Sequence, residues 1–233
     1  MTIKGLIFDM DGLLIDSEPL WLRAEQLVFA TVGIELTPHM GKETTGVRID
    51  EVVRLRHAEQ PWTTKSLAQV EAEILAEVER LATTEGRALP GVYEVLEACA
   101  RTDCKIALAS SSPMRMINAV IRHLGLMQYF SVVCSAADEQ HGKPHPAVYL
   151  TTAARMGVAP QSCLAFEDSV PGVLAARAAD MQVVAVPDEH HFEREEYSAA
   201  QLKLHSLADF IDTPIFNSLF QYKRTLATPS LHT

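Results

Sequence analysis

Five short apolar runs, each followed by a turn and then by a helical pattern, constrain this chain more than any other feature. Ile3–Phe8, Lys105–Ala109, Ser131–Cys134, Cys163–Phe166 and Gln182–Val186 are dominated by apolar residues, the signature of strands buried on both faces of a parallel sheet. Between and around them, the apolar spacing predicts helices over Pro90–Arg101, Pro113–Leu124, Pro146–Met156 and Val170–Met181. Proline stands near several of their starts, and Gly125 and Gly157 follow two of their ends. Such alternation predicts right-handed crossovers and an open, doubly wound parallel α/β sheet, whose ligands bind at the carboxyl ends of the strands.

The stretch from about Pro19 to Gly86 breaks the rhythm. It holds amphipathic helical patterns such as Leu20–Val32 and Ser66–Thr83 but no run that reads as a buried strand. It reads as a small α-helical insertion, dividing the chain into a first core segment over 1–17, a helical cap over 18–87, the rest of the core over 88–212 and a tail over 213–233. The alternative is that these helices simply pack on the sheet.

With 48% hydrophobic and 21% charged residues, the 233-residue chain can bury a substantial core. A net charge of −10 excludes a broad footprint for nucleic acid, which needs a concentrated excess of Lys and Arg. Acidic residues come too early for a signal peptide, and no apolar run approaches the length of a membrane span. The expectation is a cytoplasmic, monomeric protein with neither nucleic acid nor membrane as partner. Cys99, Cys104, Cys134 and Cys163 form no CxxC pair and read as reduced thiols. The nine histidines show no zinc-binding spacing, and His190-His191 reads as part of a solvated loop.

Chemistry gathers where the predicted strands end. Asp9-Met10-Asp11-Gly12 follows the first strand, and two carboxylates one residue apart point the same way from an extended backbone. Ser110 follows the second strand, Lys143 lies in the Gly142–Pro146 turn, and Glu167-Asp168 follows the fourth strand. Singly these have ordinary explanations: Ser110, with Ser111 and Ser112, as helix-cap serines, Lys143 as a solvated lysine, and the acidic pair as a helix N-terminus. Jointly, at the converging ends of parallel strands, they supply what phosphoryl transfer with a hard cation requires.

Asp9-Met10-Asp11-Gly12-Leu13-Leu14-Ile15-Asp16-Ser17-Glu18, with Ser110, Lys143-Pro144 and Glu167-Asp168-Ser169 through Gly172, resembles the four-motif signature of the haloacid dehalogenase superfamily. Ile15–Trp21, Gly46–Asp50, Gln60-Pro61-Trp62 and Lys143–Pro146 are similar to the sugar-phosphate phosphatases of its β-phosphoglucomutase-like subgroup. The resemblance implies a Rossmann-like core with the insertion as its small α-helical cap, and a Mg²⁺-dependent phosphomonoesterase for sugar or sugar-alcohol phosphates, of the hexitol phosphate or 2-deoxyglucose 6-phosphate type. In that scheme Asp9 is the nucleophile and Asp11 the acid/base; Ser110, Ser111 and Lys143 bind phosphate. Mg²⁺ is held by Asp9, Asp168 and the Asp11 backbone carbonyl, with Glu167 behind them. Specificity would come from cap residues such as Trp21 and Arg48, although Arg48 also reads as an exposed helix residue. Phosphomutases of the subgroup are the nearest alternative, but they place a histidine where this chain has Trp21. A sugar-phosphate-binding module without catalysis is the other.

Overall fold

The computed structural model describes residues 2–225. All five apolar runs form strands: β1 (Gly5–Phe8), β2 (Lys105–Ser110), β3 (Val132–Ser135), β4 (Cys163–Glu167) and β5 (Gln182–Ala185). A two-residue strand, β6 (Leu202–Lys203), adds to β5. Every pairing is parallel, in the order β3-β2-β1-β4-β5-β6. The connections run outward from β1 in one direction and return past it to β4, so the crevice of a doubly wound sheet falls at the carboxyl ends of β1 and β4.

Alternate strand residues build two different faces. Leu6, Phe8, Leu108, Leu164 and Phe166 contribute to one hydrophobic cluster, Ile7, Ala107, Ala109, Ala165 and Ala185 to another. On the bulky face Phe8 and Phe166 stack at 4.3 Å, with Phe210 edge-on to Phe166 at 4.7 Å. The opposite face is lined largely by alanine, which lets covering helices approach closely.

Four helices separate β1 from the rest of the core: α1 (Glu18–Ala30), α2 (Pro38–Glu43), α3 (Ile49–Glu59) and α4 (Leu67–Thr84). In α4 a reciprocal capping box between Ser66 and Gln69 satisfies the first turn, and Val70, Ile74, Val78 and Leu81 form its buried stripe. Helices α1 and α3 pack on α4. Their apolar residues, among them Phe29, Val53 and Ile74, belong to the same continuous cluster as Phe8 and Leu108.

Helices α5 (Val92–Ala100) and α6 (Met114–His123) cover the bulky face; α7 (Ala147–Met156) and α8 (Val170–Ala178) cover the alanine-lined one. Two predicted helix ends shift for local reasons. Gly91 takes φ +86° and delays α5 to Val92, and α8 stops at Ala178, before Asp180 enters the left-handed region at φ 60°. The stretch left without a predicted pattern contains α9 (Pro214–Thr225), and its last eight positions, 226–233, lie outside the described residues. Among the described residues all four cysteines are free, and no helix is long and apolar enough to cross a membrane.

Candidate active site

Strand register assembles the first group of side chains. Phe8 lies opposite both Leu108 and Phe166, so Asp9 emerges between the ends of β2 and β4, where its N–H donates to the Phe166 carbonyl at 3.0 Å. Carboxylate oxygens of Asp9, Glu167 and Asp168 fall within 4.8 Å of one another. Lys143, 2% exposed, inserts its ammonium among them, 2.5 Å from Asp9 Oδ1 and 2.6 Å from Glu167 Oε1. Sequence reading thus placed four residues that the fold brings together.

Two glycines make room for this cluster. Gly12 turns at φ +73°, and a Cβ there would fall 2.2 Å from Asp168 Oδ2; at Gly172 it would fall 2.0 Å from the Glu167 carboxylate. Glu167 is held entirely by protein groups: Oε1 accepts from Lys143 and the Tyr149 hydroxyl, and Oε2 accepts from Ser169 at 3.2 Å.

Burial pushes Asp9 up to about 8, helped by the negative charges of Glu167 and Asp11 and opposed by Lys143. Asp168 is raised well above the carboxylate range, first by burial and then by Asp9 and Glu167. Burial alone would lower Lys143, but Asp9 and Glu167 carry it above its usual value. Fully ionised, three carboxylates facing one ammonium leave two negative charges uncompensated. Hard oxygen donors with that imbalance fit a divalent cation such as Mg²⁺.

Asp11 sits at the junction of core and insertion. Its Oδ1 accepts from the Ser17 hydroxyl at 2.8 Å and from Trp21 Nε1 at 3.0 Å; Oδ2 accepts from Ser112 at 2.7 Å and Ser110 at 3.3 Å. Ser111 instead donates its hydroxyl to the Gly46 carbonyl at 3.0 Å. Trp21, from the insertion, thereby helps orient the Asp11 carboxylate.

Above these residues opens a cavity of about 590 Å³, lined by Asp11, Gly12, Ser111, Ser112 and Asp168 from the strand ends. From the insertion come Glu18, Trp21, Leu22, Glu25 and the segment around Thr44–Val47, and from the loop after β5 come Asp188, His190 and His191. Asp9 and Lys143 are buried beside this lining, outside it. Arg48 is also outside it. Its guanidinium pairs with Asp50 at 2.6 Å and donates to the Ala136 and Glu139 carbonyls at 3.1 and 3.0 Å, tying the insertion to the loop after β3.

Several partners carried no separate sequence signal. Tyr149 reads as an ordinary core aromatic of an amphipathic helix, and Ser112 as one of three neighbouring serines. The expected solvated loop at His190-His191 does contribute to the cavity wall, although the group of side chains able to hold a metal among the described residues is all carboxylate.

A family model for haloacid dehalogenase-like hydrolases matches residues 3–180. The chain belongs to that family. It is similar to hexitol phosphatase B of Escherichia coli (strain K12), 41% identical over 208 residues that cover 89% of this chain and 94% of that protein. It is also similar to fructose-1-phosphate phosphatase YqaB of the same organism, 33% identical over 187 residues covering 78% and 95%. Among solved structures, β-phosphoglucomutase from Clostridium difficile matches with a TM-score of 0.79 at 24% identity, covering 93% of this chain and 98% of that one. That likeness concerns the fold alone.

Proposed function

We propose that the chain is a Mg²⁺-dependent phosphatase that hydrolyses phosphate monoesters of sugars or sugar alcohols through a phosphorylated Asp9. One observation carries this reading: three buried carboxylates confront a single ammonium beside a cavity sized for a small polyhydroxylated molecule. The activities for which hexitol phosphatase B and fructose-1-phosphate phosphatase are named support the choice of ester.

Asp9 and Asp168 would hold the cation through carboxylate oxygens and Asp11 through its backbone carbonyl, with Glu167 bracing Lys143 behind them. Bound there, Mg²⁺ offsets the repulsion between an anionic nucleophile and an anionic phosphate. Asp9 attacks phosphorus in line as the bond to the sugar oxygen breaks, and Asp11 delivers a proton to that oxygen. Asp11 then takes a proton from the water that attacks the phosphoaspartate, releasing inorganic phosphate and restoring Asp9. The Ser110 hydroxyl and the following backbone N–H bind a transferring oxygen, while Lys143 counters charge on the phosphoryl group. We read α1–α4 as the cap and residues 88–212 as the remainder of the core, with Arg48 fastening one to the other.

Phosphate release from p-nitrophenyl phosphate, hexitol 6-phosphate, 2-deoxyglucose 6-phosphate and fructose 1-phosphate, with Mg²⁺ and with chelator, tests the proposal. Metal-dependent release is expected, with at least one sugar or polyol ester preferred over the aryl ester. Release that persists in chelator would overturn the metal assignment. An isomeric sugar phosphate formed in place of inorganic phosphate would identify a mutase.

A further inference from the structure

The cavity-facing side of α1 carries Glu18, Trp21, Leu22 and Glu25, spaced so that they share one helical face. Trp21 reaches Asp11, and Glu18 Oε2 accepts the Thr45 hydroxyl at 3.1 Å. Glu25 stands two turns beyond Glu18, about 10 Å farther along the helix axis. It is 7% exposed and lines the cavity, yet its Oε2 is buried with no hydrogen-bond partner among the described residues.

Arg56 lowers Glu25 electrostatically, but its guanidinium donates to Glu59 at 2.8 Å and to the Met40 carbonyl at 2.6 Å, lies 3.7 Å from Glu43, and has its own Nε unpartnered. A buried carboxyl oxygen left without a partner carries a desolvation cost. A hydroxyl brought into the cavity beside this carboxyl group would offset part of that cost.

We propose that Glu25 hydrogen-bonds a hydroxyl at the far end of the leaving group, making it a specificity determinant for phosphate esters of extended polyols. This rests on the phosphatase reading above and names the part of the ester that the cap recognises. The phosphate end is confined to the strand ends by Asp9, Asp11 and Lys143. A six-carbon acyclic polyol is long enough to extend from there along α1 toward Glu25, which lies one turn, about 6 Å, beyond Trp21, whose indole reaches Asp11; a three-carbon one is shorter. Burial raises Glu25 to about 8, followed by the charge of Glu18. Near neutral pH it is therefore largely a carboxylic acid, able both to donate to a hydroxyl and to accept from one.

The test uses the full chain with Mg²⁺, the variants Glu25→Leu and Glu25→Gln, and three esters: hexitol 6-phosphate, glycerol 3-phosphate and p-nitrophenyl phosphate. In Glu25→Leu the kcat/KM ratio of hexitol ester to aryl ester should fall at least about tenfold, the scale of discrimination in a site built to bind a hydroxyl. The glycerol-to-aryl ratio should move little, and Glu25→Gln should recover most of the hexitol ratio. An unchanged hexitol ratio in Glu25→Leu would overturn the assignment. So would an equal fall on all three esters, which would mean that Glu25 only supports Arg56, or a Gln variant as impaired as Leu. A parent that hydrolyses the aryl ester but neither polyol phosphate would sink this inference and leave metal-dependent phosphatase chemistry standing. A parent inactive on all three would remove the phosphatase reading itself.

Discussion

Replacing Asp9 with Asn is expected to reduce turnover by about four orders of magnitude or more, the scale seen when a nucleophile is removed from an otherwise intact site. Asn keeps the volume and can still accept from the Lys143 ammonium, so the fold should survive. Stability should respond in the opposite sense. Asp9 holds its proton up to about 8, whereas an unfolded-chain aspartate releases it near 3.9. Ionisation therefore favours the unfolded chain progressively as pH rises from about 4 toward 8. Asp9→Asn removes that cost and should be at least as stable as the parent in metal-free buffer at pH 8, its advantage vanishing toward pH 4. Thermal unfolding across this range, beside steady-state kinetics, checks both halves. A variant that is active, or that is destabilised most at pH 8, would contradict the role given to Asp9.

Lys143→Met should do the reverse to stability. Asp9, Glu167 and Asp168 would be left without the ammonium that lies 2.5 and 2.6 Å from the first two. Removing one partner from a buried ionic group costs about 3–5 kcal/mol, and the phosphoryl group loses a fixed positive charge, so turnover should fall about a thousandfold. Lowering the pH protonates Asp9 and Asp168, which burial already raises, so the stability deficit relative to the parent should be largest near pH 8 and shrink toward pH 4. Denaturant unfolding in metal-free buffer measures it. A deficit independent of pH would mean that Lys143 contributes through packing alone.

The fold was legible because parallel strands are buried on both faces and leave continuous apolar runs such as Cys163–Phe166, each set off by a turn and a helical pattern. The core of the site was legible for a related reason: parallel strands end together, so Asp9, Ser110 and Glu167-Asp168 had to converge. Lys143 was legible only through the joint pattern, since a lysine in a Gly-Lys-Pro turn looks solvated by itself. What escaped depends on contacts across the insertion. Nothing in the spacing of Asp11 and Trp21 reveals that an indole N–H bonds to the carboxylate. Glu25 resembles any polar residue of an amphipathic helix until the cavity shows which way its face turns. Arg48, beside a glycine-containing loop, suits either a place near the substrate or an exposed helix position by sequence, whereas the structure turns its guanidinium to backbone carbonyls after β3.

The central claim is that phosphate passes through Asp9. Mixing the enzyme with a ³²P-labelled sugar phosphate and Mg²⁺, quenching in acid within the first turnover and mapping the labelled peptides addresses it most directly. The label should lie on the peptide carrying Asp9, be lost in alkali as an acyl phosphate is, and be absent from Asp9→Asn. Label on a serine or histidine, or retained by the Asn variant, would contradict the account.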